Sequence, residues 1–440
     1  MHVIIVGGGA SGVLLAAHLL RGPEAELRVT LIEKRAEVGR GVAYSARQLG
    51  HVLNVPAINM SVYADDPEHF WRWLSAEGLS TEAERFGFVA RRHYGTYLDG
   101  VVAGLLAGGR LQLVHELCTR VTHAAEGVEV LLASGATLSG DVAVLAVGHE
   151  EQPARSKGVA VRVGSDADTP LPPDVPVMIL GSGLSMVDAW LELAHAEHRG
   201  PVTVVSRHGL LPLPHRQVRK IELEAAEVPL GAELREFTRW FRSAVEAEVA
   251  QGGDWRSVVD ALRPFNQRIW QEWSAQSRRR FLEHVRPVWN IHRHRLPPEL
   301  FERLQGAVAS GQVTLVAGKF LDVRAEGHEA VSTIRRRGAV ATEEIRVARV
   351  YDCGGVSVDV EHSSNPVIRG LLADGAARPD RLHIGLDVTT TCEVISADGE
   401  AAERLFAIGP LTRGAFFEIE AVPDIRVQCA ALAERLLAQS

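Results

Sequence analysis

The sequence has few cysteines: four in 440 residues, at positions 118, 353, 392 and 429. They are widely separated and form no C-x-x-C pair, which excludes a redox-active disulfide motif and a cysteine-based zinc site. Such usage fits a reduced, cytoplasmic setting. No stretch is apolar for long enough to span a bilayer, and the apolar N-terminus lacks the basic flank of a signal peptide. Basic charge is not in excess. Lys and Arg number 47 against 55 Asp and Glu, a net charge of −8 that favours solubility and offers no footprint for nucleic acid. Repeats, low-complexity tracts, a nucleophilic triad and an acid–base pair are all missing from the pattern. What remains is an ordinary globular composition, 46% hydrophobic and 23% charged. The length is too great for one core, so two or three domains are expected.

The chain is organised around its first residues. His2-Val3-Ile4-Ile5-Val6 is an apolar run, Gly7-Gly8-Gly9-Ala10-Ser11-Gly12 follows without a gap, and Val13 to Leu20 is helix-forming. Strand, glycine turn and helix in that order form a dinucleotide-binding fingerprint. Gly7 allows the tight turn, Gly9 lets backbone approach a pyrophosphate, and Gly12 lets helix and strand pack closely. The helix N-terminus, at Ala10 and Ser11, offers N–H groups and a positive dipole end to phosphate. A second strand, 28–32, ends in Glu33, with Lys34 beside it, where a ribose-binding acid is expected. Farther on, Gly39 and Gly41 flank Arg40, suggesting backbone against a flat or charged ligand with the guanidinium near a phosphate. Asp65-Asp66-Pro67-Glu68 reads as a helix start, with its paired acids as caps and not as metal ligands.

These residues carry a family resemblance. Gly39-x-Gly41-x-Ala43-Tyr44-Ser45, Leu53-Asn54-Val55-Pro56-Ala57, Met60-Ser61 and Asp65-Asp66-Pro67-x-His69-Phe70-x-x-Trp73-Leu74 resemble an FAD/NAD(P)-binding family. That family contains FAD-dependent urate hydroxylases and flavin-dependent L-aspartate N-monooxygenases. The resemblance continues at 177–188, 350–355 and 405–426, nearly the whole chain. It implies an α/β fold of two Rossmann-like dinucleotide-binding domains, and it places Asn54 and Val55 at the FAD. The strand 141–149 ends in Ala-x-Gly at Gly148, resembling the handover from the FAD to the NAD(P) domain. His149 has two readings, acid/base or a polar residue closing a strand. The resemblance also sets the turn Gly409-Pro410 and residues 413–418, Phe416 among them, close to the isoalloxazine. Arg413 is then the candidate for an anionic substrate group, and Asp424 caps or opens the last helix.

After a Pro- and Gly-rich linker at 153–176, the opening motif recurs in altered form. Gly181-Ser182-Gly183-Leu184-Ser185-Met186 follows the apolar run 177–180, with Met186 in place of the third glycine. Helix and strand are then expected to stand farther apart, which suits an exchangeable nucleotide. The next strand ends in Ser206-Arg207-His208. A carboxylate repels a 2′-phosphate and Arg binds one, so the first site reads as FAD and the second as NADPH in preference to NADH. Arg207 as a solvated loop cation is the bland alternative. Residues 210–305 read as helical, rich in Arg and Trp through helix packing. His292 and His294 lack the companions of a metal site, and Arg293 or Arg295 could contact substrate.

The expected boundaries are 1–160 for the first part of a discontinuous FAD domain, 161–315 for an inserted NADPH domain carrying the helical segment 210–305, and 316–440 for the return to the FAD domain. The resemblance implies a monooxygenase using FAD, NADPH and O₂ on a small anionic, nitrogenous substrate. Urate hydroxylation is expected first because no further domain is appended, and L-aspartate or amine N-hydroxylation second. A reductase acting on another acceptor and a non-enzymatic dinucleotide sensor are the other classes. Because the cofactor would carry the hard chemistry, the lack of a triad is no obstacle. Nothing in the pattern specifies the oligomeric state.

Overall fold

The computed structural model describes residues 1–23, 26–41, 43–45, 51–81, 85–124, 126–150, 159–162, 168–354 and 359–439. Val42, Gly355 and much of the 153–176 linker therefore lie outside the described residues. The chain divides into two compact units. One comprises Met1–Glu151, Asn266–Ala275 and Ser357–Ser440; the other comprises Gln152–Phe265 and Gln276–Val356.

The first unit begins with β1 (His2–Val6) and β2 (Arg28–Ile32), then β3 (Leu111–Val114), a three-stranded antiparallel sheet of β4 (Cys118–Ala124), β5 (Gly127–Leu132) and β6 (Thr137–Gly140), and β7 (Val142–Leu145). Val3, Ile4 and Ile5 are fully buried, as a strand covered on both faces requires. The helix Ala10–Leu19 crosses from β1 to β2, buried almost throughout. The unit's main sheet is completed by β15 (Glu393–Ile395) and β16 (Ala401–Ala407), in the order β15-β16-β7-β1-β2-β3. It is parallel except for β15. The chain leaves β1 towards β2 and later returns to β7 on the other side. Such a switch point opens a crevice at the carboxyl ends of the strands.

The second unit contains β8 (Ala160–Val161), β9 (Val177–Leu180), β10 (Val202–Ser206), β11 (Val313–Glu326), β12 (Glu329–Arg336), β13 (Glu343–Val347) and β14 (Arg349–Asp352). They form one sheet ordered β13-β12-β11-β10-β9-β14-β8. Its switch point lies between β9 and β14, again beside a glycine turn. The fold is thus two Rossmann-like units.

Two boundaries differ from the sequence expectation. The long strand β11 pairs with β10 and folds back on β12, and β14 pairs with β9, so residues 316–352 belong to the second unit. Residues 266–275 leave the 210–305 segment and group with the first unit. Their reason is local chemistry. On the helix Asn266–Glu272, Trp270 Nε1 donates to the Gly414 carbonyl at 2.8 Å and Gln267 Nε2 to the Phe417 carbonyl at 2.6 Å. The Trp270 ring stacks on Phe417, with centroids 4.7 Å apart.

Candidate functional site

The first glycine turn is shaped by contacts that leave no room for side chains. Gly7 has φ +110°, and a Cβ there would overlap the Ala146 carbonyl; one at Gly12 would overlap the Gly7 carbonyl. Gly9 is different. A Cβ on it would have only the Gly41 Cα within 4 Å, at 3.7 Å, so two bare backbones lie close together without a clash. The helix Ala10–Leu19 opens at Gly9 with no side-chain cap and no acid in its first turn. Its leading N–H groups thus have no competing carboxylate, and this side-chain-free wall is a cradle of the kind a pyrophosphate lies against.

This cradle lies in a cavity of about 210 Å³ at the strand ends, lined among others by Gly7, Gly9, Ala10, Ser11, Glu33, Lys34, Arg40, Gly41, Gly148 and Pro410. A second cavity of about 370 Å³ shares Lys34, Arg35, Val147, Gly148, His149 and Pro410 with the first. Glu33 stands at the end of β2, its carboxylate accepting from the Gly8 N–H at 2.9 Å and the Arg35 N–H at 3.0 Å. A carboxylate has about four acceptor positions, so it keeps capacity for a sugar hydroxyl. Gly148, at φ +69°, turns the chain after β7. Gly409, also left-handed, gives its N–H to Gln428 at 2.8 Å, and a Cβ there would meet Ser11 Oγ at 2.6 Å.

Several sequence-picked residues are placed otherwise than expected. Arg40 lines the first cavity, but its guanidinium is bonded twice to Asp99, which raises its pKa further. Asn54 and Val55 sit before the short helix Ala57–Asn59 and line neither cavity; Val55 packs on the core. Phe416 is likewise a packing residue, set against both cores of the first unit. Asp424 lies within the first turn of the helix Val422–Leu437, whose cap is Ala421.

Arg413 requires the largest correction. Its side chain is only 8% exposed and is paired with Glu420, while its Nη2 lies 2.8 Å from His149 Nδ1. A guanidinium already answered by a carboxylate is not a vacant anion receptor. His149 and Glu420, which spacing could not link to it, complete this cluster. Burial first, and the nearby Arg413 charge second, hold the His149 pKa down to about 4.

In the second unit, Gly181 has φ +99°, and a Cβ there would sit 2.7 Å from the Cys353 carbonyl oxygen. Gly183 caps the helix Leu184–His195 without a side-chain bond, leaving Leu184 and Ser185 in the open first turn. Met186 fills the third position with its side chain fully buried. At the end of β10, Ser182 Oγ donates to Ser206 Oγ at 2.9 Å, and Ser206 Oγ accepts the Gly209 N–H at 3.0 Å. Arg207 is exposed. Beside it, His208 Nδ1 lies 3.4 Å from Arg337 Nη1, and burial together with those two arginines depresses the His208 pKa. Sequence reasoning missed Arg337, which is brought in by the β12–β13 hairpin. Arg295 is buried and paired with Asp260, away from the role of a free substrate contact. His292 packs its ring edge-on against Trp255. Among the described residues no group of His, Cys, Asp and Glu could hold a metal, and no helix is long and apolar enough to cross a membrane.

Residues 4–150 match the model of a family described as FAD-NAD(P)-binding. No curated protein matches the chain in sequence. Among solved structures, the ornithine N-hydroxylase of Kutzneria sp. 744 is similar over 99% of both chains, with 14% identity and a TM-score of 0.68. The cadaverine monooxygenase of Erwinia amylovora, described as bound to FAD, is similar over 99% of this chain and 94% of its own, with 13% identity and a TM-score of 0.67. The bacillithiol disulfide reductase of Staphylococcus aureus shares the fold at a TM-score of 0.58 and 14% identity, over 100% and 99% of the two chains. The family match thus lies in residues 4–150, within the first unit, and the chain shares its overall fold with these three structures alike.

Proposed function

We propose that this chain is a monooxygenase that holds FAD in its first unit and NADPH in its second, and hydroxylates the nitrogen of a small amine. The observation that carries the reading is one backbone device used twice with opposite charge beside it. Glu33 stands at the first turn, and the cations Arg207 and Arg337 stand near the second. When bound, the flavin would supply the electron and oxygen chemistry. The chain's own part is to receive the pyrophosphate against the bare wall of Gly9 and Gly41, hold a ribose at Glu33, and exclude water from the cavities.

The order of substrates expected from the sequence is reversed. Urate was placed first because no further domain is appended, and Arg413 was the candidate for its anionic group, whereas Arg413 is paired with Glu420. The similar structures named for ornithine and cadaverine support an amine in first place. A thiol-based reductase route on this chain's own cysteines is disfavoured. Cys118, Cys353 and Cys392 are each pushed by burial up to about 12, and Cys429 is raised as well, whereas reactive thiols need the opposite shift.

The test is NADPH-driven O₂ consumption by the FAD-loaded protein with ornithine, cadaverine, L-aspartate or urate, scoring hydrogen peroxide in parallel. An amine that speeds oxidation and suppresses peroxide supports the reading. Urate alone doing so would restore the purine hydroxylase, and rapid reduction of an artificial acceptor with no substrate effect would establish a reductase.

A further inference from the structure

The buried cluster beside the cavities has a specific consequence. His149 directly follows Gly148 and lines both cavities. Its Nδ1 faces Arg413 Nη2 at 2.8 Å. Guanidinium nitrogens only donate, so Nδ1 must accept, and in an uncharged imidazole the proton then sits on Nε2. Among the described residues the only hydrogen bond of the His149 ring is the one at Nδ1. Glu420 accepts from Arg413 Nε and so holds the guanidinium in place. In the sheet order β7-β1-β2, Glu33 follows β2, the glycine turn follows β1, and His149 comes after β7 on the opposite side from Glu33. With the ribose at Glu33 and the pyrophosphate at the turn, His149 lies towards the other half of a bound dinucleotide.

Resting on the FAD reading, we propose that Arg413, braced by Glu420, is a positioning residue that fixes His149 as an uncharged Nε2–H donor, and that His149 gives this hydrogen bond to an acceptor on the flavin half of the cofactor. The alternative roles of acid/base or strand closure are thereby replaced by a fixed donor. Arg413 is hydrogen-bonded to the ring, and Glu420 acts on it through charge. Lys34, Arg35, Glu150 and Asp359 share the lining of the second cavity with it. Glu150 is already engaged by Ser363 and Ser364.

The test begins with ¹⁵N imidazole spectra of the FAD-loaded protein. His149 is expected as the Nε2–H form, unchanged from pH 8 to pH 5. A protonated Nδ1, or titration inside that range, overturns the proposal. FAD dissociation constants of variants give the second reading. His149→Leu should weaken FAD about tenfold, the value of one hydrogen bond, and His149→Gln, which keeps an uncharged N–H donor, should restore most of it. Arg413→Leu should weaken FAD most at pH 8, where the uncharged ring is free to take either tautomer, and the loss should shrink as pH falls, because a protonated ring keeps Nε2–H. If His149→Leu binds FAD like the parent, the donor role fails while the FAD reading stands. If the parent binds no FAD, the functional reading fails, and the tautomer measured in the free protein still decides the Arg413–His149 arrangement.

Discussion

The two glycine turns align residue for residue, and their differences are coupled in pairs. Gly8 in the first turn corresponds to Ser182 in the second. At Gly8 a Cβ would lie 2.6 Å from Glu33 Cβ, so no side chain fits there, and Glu33 takes the Gly8 N–H. Ser182 instead donates its hydroxyl hydrogen to Ser206. Gly12 corresponds to Met186. The first helix must lie directly on the Gly7 carbonyl, whereas the second is separated from its strand by a buried thioether. A close-packed turn with a carboxylate suits a cofactor held for many turnovers, and a looser turn beside cations suits one that exchanges. One backbone form thus stands in two settings that differ at three matched side-chain positions.

The strongest way to break this comparison is to transplant one turn's residue into the other. Gly12→Met should abolish the folded first unit, because its Cβ overlaps the Gly7 carbonyl and no rotamer removes a Cβ. Loss of bound FAD and of cooperative urea unfolding would report it. The reciprocal Met186→Gly should fold and cost roughly 2–5 kcal/mol, since it removes a fully buried side chain and leaves a cavity. If Gly12→Met keeps FAD, the packing difference is not what distinguishes the turns.

A milder change separates space from packing. Gly9 has φ −72° and ψ −171°, backbone that any residue adopts. Gly9→Val should therefore fold normally and put a side chain on the bare wall beside Gly41. FAD affinity should fall about 100-fold, roughly 3 kcal/mol. Fluorescence of released flavin measures it. The same change at Gly183 should spare FAD and weaken only the nicotinamide nucleotide.

The first unit also stores a pH dependence at His149. Its folded pKa, about 4, lies below the ordinary value of 6.5, so the unfolded chain binds the extra proton first as pH falls. The associated stability is fully present above about 6.5 and is lost as pH drops to about 4, a difference on the order of 2–3 kcal/mol. His18, His69 and His93 are lowered in the same unit and push the same way. The difference between the parent and His149→Gln in urea midpoint against pH isolates the one residue. Parallel curves would remove His149 from the account.

What the sequence made legible was local. Strand, glycine turn, helix and the acid at Glu33 lie within about thirty residues, and each is set by spacing and backbone sterics. The second turn was readable for the same reason. What escaped was brought together by sheet topology. β12 and β13 fall in the 316–440 stretch expected to return to the first domain, yet β12 pairs back on β11 and β13 on β12, and the turn between them carries Arg337 to a histidine 129 positions earlier. Residues 266–275 carry a helical pattern, and nothing in that pattern shows that Trp270 donates to Gly414, 144 positions later. Arg413 read as a free cation because its partner His149 lies 264 positions away, and Glu420, though near in sequence, meets it only through the turn between them.

The smallest expected effect sharpens the comparison most, because it tests what topology added to the second site. Arg207 follows β10 directly, and Arg207→Ala should weaken NADP⁺ by ten- to 100-fold, about 1–3 kcal/mol for a charge-assisted contact, leaving NAD⁺ nearly unchanged. Arg337 comes from the hairpin and is exposed, so part of its attraction is screened by solvent. Arg337→Ala should weaken NADP⁺ by no more than about tenfold, with the loss shrinking as salt is raised, and again spare NAD⁺. Titration calorimetry with both nucleotides at two ionic strengths distinguishes the outcomes. Equal losses for NADP⁺ and NAD⁺ would mean that Arg337 supports the hairpin, not the 2′-phosphate. Selectivity in the second unit would then rest on Arg207 and His208 alone, both readable from the end of a single strand, as Glu33 is in the first.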